Sequence, residues 1–234
     1  MNYLVMNYQE SIDLDYSKLH NDVIRCCLKS FRFHNQTAQI VLFTGKRDLL
    51  NDFENYSYRT IEDSSTPWNQ KYRILLEMAN VTHEGDPIIW CDIDMIFLDD
   101  PFSLDWRRLG TMDMGCSSRL LPYKYSATSA FLALVNTEKS RKILRDIDSY
   151  IPTMNPRLKD MEYACHLLDT KRISDLGWYW DFCPGREFFK KVCYAEMYRR
   201  AIQSRSVGCV HLKADAKYMI YNTEFQNLPE LTWM

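Results

Sequence analysis

The sequence predicts an α/β protein with a mostly parallel central sheet and helices on both faces. Two observations carry this. Short apolar runs at 3–6, 40–43 and 87–91 alternate with helical apolar patterns at 16–31 and 72–79. Right-handed crossovers between parallel strands then place helices on both sides of the sheet. A third observation concerns bulk: the 234 residues are 46% hydrophobic and 14% aromatic, enough for a core and too much for a disordered chain.

The elements follow in order. Tyr3, Leu4, Val5 and Met6 form a first strand. Apolar residues at 16, 19, 23, 24, 27, 28 and 31 keep the helical period, with Asp15 or Ser17 as a cap. Ile40 to Phe43 is a buried strand ended by Thr44 and Gly45. Residues 72, 75, 76 and 79 repeat the helical pattern behind Pro67. The run 87–91 is a third strand, and 112–116 and 129–135 add two more. Thr137 caps a helix with apolar residues at 143, 144, 147 and 151. Helices at 160–168 and 187–203 precede a late strand at 208–212. No repeat or linker-like stretch interrupts the chain, so one domain over 1–234 is expected.

Composition narrows the function. The formal net charge is -2, which argues against a polyanion binder acting by overall charge. Basic residues do gather between 186 and 217, and 190, 191, 199 and 200 point away from the apolar stripe of their helix. They read as a solvated face or as a patch for an anionic acceptor. No run of about 18 apolar residues suits a membrane span, and the N-terminus lacks the basic region of a signal peptide. The 8 cysteines form no CxxC pair and read as reduced. A cytoplasmic or host-intracellular location is expected, in a bacterial or viral setting.

Ligands of open α/β sheets bind beyond the carboxyl ends of the strands. Past Trp90-Cys91 the chain reads Asp92-Ile93-Asp94. In extended chain, positions i and i+2 project to one side. Two carboxylates on one side near a sheet centre repel and are costly to desolvate unless a cation joins them. Hard oxygen ligands suit Mg²⁺ or Mn²⁺, which usually bridge carboxylates to substrate phosphates. His211, ending the late strand, is the expected third ligand, with Lys213 and Lys217 nearby to meet phosphate charge.

The segment IIWCDIDMIFLDDPF resembles the DxD region of nucleotide-sugar glycosyltransferases with the GT-A fold. Residues 211–217 resemble the late HxxGxxK element of the glycogenin and lipopolysaccharide-galactosyltransferase group, with Ala214 where that element has Gly. The resemblance implies a Rossmann-like GT-A domain that moves a sugar from a nucleoside-diphosphate sugar, UDP-sugar favoured, to an acceptor that is a glycan, protein, lipid or nucleic acid. It implies Mn²⁺ or Mg²⁺ held by Asp92, Asp94 and His211. Donor contacts are expected from Asn7 and Tyr8 at the first strand end, from Lys71 and Arg73 on the helix before the metal strand, and from Asp92, Ser129 and Lys217. Thr128 is a further candidate for sugar hydroxyls. Asp160 and Glu162 flank Met161, which stands where retaining relatives carry Gln. Either carboxylate is a candidate catalytic group, Asp160 as the general base of an inverting displacement. Trp178-Tyr179-Trp180 reads as a platform for a sugar or base, or as core.

Two other functions compete. A haloacid-dehalogenase-type phosphatase uses a DxD aspartate as nucleophile, but that motif ends the first strand of its fold. A non-catalytic sugar-binding module has no use for two buried carboxylates and a histidine.

Overall fold

The computed structural model describes residues 1–8, 14–44, 56–59, 67–118, 127–150, 164–167, 169–183 and 191–233. Among these, the chain runs β1 (Tyr3–Tyr8), α1 (Leu14–His34), β2 (Gln39–Thr44), β3 (Tyr56–Arg59), α2 (Pro67–Val81), β4 (Pro87–Cys91) and β5 (Met95–Phe97). It continues through β6 (Met114–Ser118), β7 (Ala127–Val135), α3 (Glu138–Tyr150), β8 (Ser174–Asp175), α4 (Lys191–Gln203) and β9 (Cys209–His211). A 3₁₀ stretch, Ala214–Tyr221, and a short helix, Thr223–Gln226, follow.

Seven strands form one sheet in the order β3-β2-β1-β4-β7-β6-β8. β1 pairs in parallel with β2 and β4, and β2 with β3. β7 alone runs against its neighbours β4 and β6. This is the predicted α/β sheet. Its carboxyl ends bring Tyr8, Thr44 and Cys91 to one edge.

Strand parity divides the core. Leu4, Met6 and Tyr8 of β1 face α1, where Ile24, Cys27, Leu28 and Phe31 are fully buried against them. Val5 faces the other way, with Val41, Ile88 and Trp90, toward Tyr72, Leu75 and Met78 of α2 and Ile143, Leu144 and Ile147 of α3. α3 starts at the predicted cap: Thr137 Oγ1 accepts from Ser140 N (3.2 Å), and Ser140 Oγ accepts from Thr137 N (3.0 Å).

The late strand expected at 208–212 is β9, whereas β5 escapes sequence patterning because three residues show no period. β5 and β9 pair antiparallel as a separate small ladder, with Met95 opposite His211 and Phe97 opposite Cys209. A third core gathers there, in which Leu19 and Val23 of α1 meet Tyr198 and Ile202 of α4, with Val210 and Ile220.

Candidate metal centre

β4 ends at Cys91, and Asp92 leaves the sheet with its backbone N–H still donating to the Ala130 carbonyl (2.9 Å). Asp94 directly precedes β5. Because β5 pairs with β9, Asp94 comes beside His211, and its carbonyl accepts from Leu212 N (2.7 Å). Two residues separated by 117 positions thus meet through a ladder of three. One ligand atom from each of Asp92, Asp94 and His211 lies within 4.8 Å of the others.

Asp94 is buried, and both its oxygens are engaged. Oδ1 lies 3.1 Å from His211 Nε2, and Oδ2 accepts from Lys217 Nζ at 2.8 Å. Burial would raise its pKa, but His211 and Lys217 outweigh this and hold the carboxyl well below the usual range. His211 is oriented from behind: Nδ1 lies 2.9 Å from Oδ1 of Asp181, itself 3% exposed. Burial alone would lower the imidazole pKa, yet Asp94 and Asp181 together raise it well above the ordinary value. Tyr198 donates its hydroxyl to the His211 carbonyl, fixing the backbone as well.

This arrangement fits a divalent cation. With the Nδ1 proton committed to Asp181, Nε2 faces a carboxylate oxygen at hydrogen-bond distance. Two acceptors at that separation need a proton or a cation between them. A carboxylate behind the ligating histidine is also the usual outer support of a metal site.

Asp92 is held differently. Its side chain is 30% exposed, and Oδ1 accepts from Trp90 Nε1 (3.1 Å) and Lys71 Nζ (3.4 Å). Lys71 is buried and also donates to the Ser129 carbonyl (2.8 Å) and Oγ (3.0 Å). Lys71, Asp92 and Ser129 are therefore one cluster, and Lys217 belongs to the Asp94 side.

Other expected contacts land elsewhere. Tyr8 is 1% exposed and donates to Asn21 Oδ1 at 2.6 Å, so its ring is core and offers no open stacking face. The reason is parity: residue 8 shares the α1 face with Leu4 and Met6. Asn7, on the opposite face, donates to Gln70 Oε1 of α2 (3.1 Å). Its buried Oδ1 has no hydrogen bond among the described residues. Arg73 is exposed, roughly 200° around α2 from Lys71 by helix geometry, and it is Lys71 that bonds Asp92. Ser129 is buried and turned to Lys71, and Thr128 is buried with its Oγ1 accepting from Ala130 N (3.2 Å). Both were expected to face a sugar. Asp160 and Glu162 lie outside the described residues.

Trp180 is core, stacked on Phe131 with centroids 5.7 Å apart. Its segment packs on β9, where Gly208 N donates to the Tyr179 carbonyl (2.8 Å) and Phe182 N to the Cys209 carbonyl (3.1 Å). A Cβ at Gly208 would overlap the rings of Tyr179 and Trp180, so glycine permits the approach that brings Asp181 to His211. Sequence reasoning missed Asp181 and Trp90. Asp181 had a signal: a single acid inside the apolar run from Trp178 to Phe182. It also missed His20 on α1, whose pKa is lowered first by burial and then by Lys217, with Asp94 opposing.

On α4, Arg199 and Arg200 both pair with Glu196, which reduces the outward charge of the basic face. Among the described residues no helix is long and apolar enough to cross a membrane.

No protein-family profile and no curated protein sequence matches the chain. Solved structures do. The apo form of the glycosyltransferase GlyE of Streptococcus pneumoniae TIGR4 superposes with a TM-score of 0.64 at 13% identity, over 99% of this chain and 61% of that one. This chain thus spans under two thirds of GlyE. Mouse xyloside xylosyltransferase 1 gives 0.59 at 10% identity, over 92% of this chain and 99% of that one. The galactosyltransferase LgtC, solved with donor and acceptor sugar analogues, gives 0.58 at 12% identity, over 99% and 93%. The fold is GT-A.

Proposed function

We propose that this chain is a metal-dependent glycosyltransferase that moves a sugar from a nucleoside-diphosphate sugar, UDP-sugar favoured, to an acceptor. One observation carries the reading: Asp92, Asp94 and His211 converge at the carboxyl ends of a GT-A sheet, with Asp181 fixing the histidine from behind. These residues would hold Mn²⁺ or Mg²⁺. The ion, when bound, would neutralise the diphosphate leaving group.

The chain's own groups do the rest. His211 and Asp94 are rigid ligands because both are buried and bonded on their far sides. Lys217 lies against Asp94 on the 3₁₀ stretch after β9 and is the cation nearest a diphosphate there. Asn7, near the end of β1, remains a proposed contact for the nucleobase. Asp160 and Glu162 remain proposed catalytic groups, Asp160 as the base that takes the acceptor proton.

The haloacid-dehalogenase reading finds less support. Its nucleophile follows the first strand, whereas Asp92 follows β4, and the second aspartate here is closed in by His211 and Lys217.

The test is direct. Uridine diphosphate should bind in the presence of Mn²⁺ and much more weakly in EDTA, and Mn²⁺ should support hydrolysis or transfer of a UDP-sugar. Metal-independent hydrolysis of p-nitrophenyl phosphate with no diphosphate binding would reject the reading.

A further inference from the structure

We infer that Trp90 is a positioning residue that fixes the rotamer of Asp92 and leaves Oδ2 as its ligand atom. The inference rests on the reading of the strand end as a metal–diphosphate centre.

Asp92 lies just past β4, so its side chain is free to turn unless something holds it. Trp90 stands two residues earlier and projects to the same side. It is itself immobile: 3% exposed, opposite Val5 on β1 and Leu132 on β7, and packed with Tyr72 and Leu75 of α2. From there the indole N–H donates to Asp92 Oδ1 at 3.1 Å.

The ring has a second task. Lys71 Nζ lies 5.6 Å from the Trp90 ring centroid and 3.4 Å from the same oxygen, Oδ1. An ammonium over an indole face is attracted by the ring quadrupole. The indole therefore floors the lysine with its face and holds the carboxylate with its edge. Lys71 is anchored in turn by two bonds to Ser129. Both donors converge on Oδ1. Oδ2 takes no hydrogen bond among the described residues, so it is the oxygen left for an ion or a donor hydroxyl. Phenylalanine at 90 would keep an aromatic floor and remove the N–H, together with part of the indole's buried volume.

A double-mutant cycle tests this on the full chain, with Mn²⁺ plus uridine diphosphate as probe and free Mn²⁺ counted by electron paramagnetic resonance. Trp90→Phe should weaken Mn²⁺ binding about tenfold, on the scale of one hydrogen bond to a charged group. In an Asp92→Ala background the same change should alter affinity by no more than about twofold, because the group it acts through is gone. Wild-type affinity in Trp90→Phe, or an equal loss in both backgrounds, overturns the inference. Asp94→Ala separates the two ideas. Full Mn²⁺ affinity in Asp94→Ala overturns the metal-centre reading, and this inference with it. Loss there beside an unchanged Trp90→Phe overturns only the role of Trp90. If Trp90→Phe does not fold, benzothienylalanine at 90 replaces the N–H by sulfur at nearly constant shape and is judged by the same outcomes.

Discussion

Asp92 and Asp94 stand two residues apart, yet one is held part-exposed at the sheet edge and the other is closed into a buried ion cluster. Asp92 keeps a side chain 30% exposed and, among the described residues, hydrogen-bonds to groups of β4, α2 and β7. Asp94 is 7% exposed and meets His211, Lys217 and, through the histidine, Asp181, all more than 80 residues further along the chain. The first half of the site is an extension of a regular sheet. The second exists because β5 and β9 pair. A substitution in the second half should therefore cost fold and ligand together, and one in the first half mainly ligand.

The largest effect expected is at Asp94. Alanine there removes the buried carboxylate that both His211 and Lys217 face and leaves His211 with Asp181, and breaking such a buried pair typically costs about 3–5 kcal/mol. Metal-dependent turnover should disappear and the melting temperature should fall clearly. Asp92→Ala removes a part-exposed pair with Lys71, for which up to about 1 kcal/mol is expected. Similar melting temperatures for the two variants would break the comparison.

Asp181→Asn comes next. The amide still accepts from Nδ1 of His211, but the charge that supports the imidazole is gone. Losing such an outer partner typically lowers metal affinity about 10–100-fold. Titration of Mn²⁺ into the variant reads this, and an unchanged affinity would remove Asp181 from the centre.

The same division explains what the sequence could reveal. β1, β2 and β4 are continuous apolar runs because they are buried on both faces, and α1 and α2 show the helical period because each buries one stripe. Asp92, Asp94 and His211 were legible as polar residues ending apolar segments. Trp90 was not, because it looks like one more apolar residue of a buried strand, and Asp181 left only the faint signal of one acid in an aromatic run until the fold places it. Tyr8 failed for another reason. A strand end was read as an open edge, when parity turns residue 8 to the α1 side. β5 has three residues, and only its partner defines it.

A smaller effect is expected from Lys217→Ala. The side chain lies 2.8 Å from Asp94 Oδ2, so it belongs to the ion cluster and is poised to meet phosphate charge. Donor affinity should weaken by roughly 1–3 kcal/mol, the range for a hydrogen bond to a charged group. Equal diphosphate affinity in wild type and variant would take Lys217 out of the donor site.

The mildest change, step for step, is with pH, and its sign follows from the two groups. Asp94 is held below the usual carboxylate range, so it is ionised throughout the neutral region and releases no proton to an incoming cation. His211 is raised above its ordinary 6.5, so near neutrality it carries the Nε2 proton that faces Asp94. Ligation needs neutral imidazole, so each ion bound displaces one proton. Mn²⁺ affinity should rise with pH, by up to about tenfold per unit, until the raised pKa of His211 is passed. Metal-free stability runs the opposite way over that range. The His211 contribution is fully present below about 6.5 and is lost as pH rises through the folded value, whereas that of Asp94 is present above 3.8 and is lost as pH falls through its depressed one. The metal-free protein should thus be most stable in mildly acid solution, where it binds Mn²⁺ less tightly than at neutral or alkaline pH. Calorimetry in two buffers of different ionisation enthalpy counts the proton directly. Zero protons released, with affinity flat from pH 6 to 8, would mean that His211 is already neutral or does not ligate, and the buried half of the site would lose its histidine.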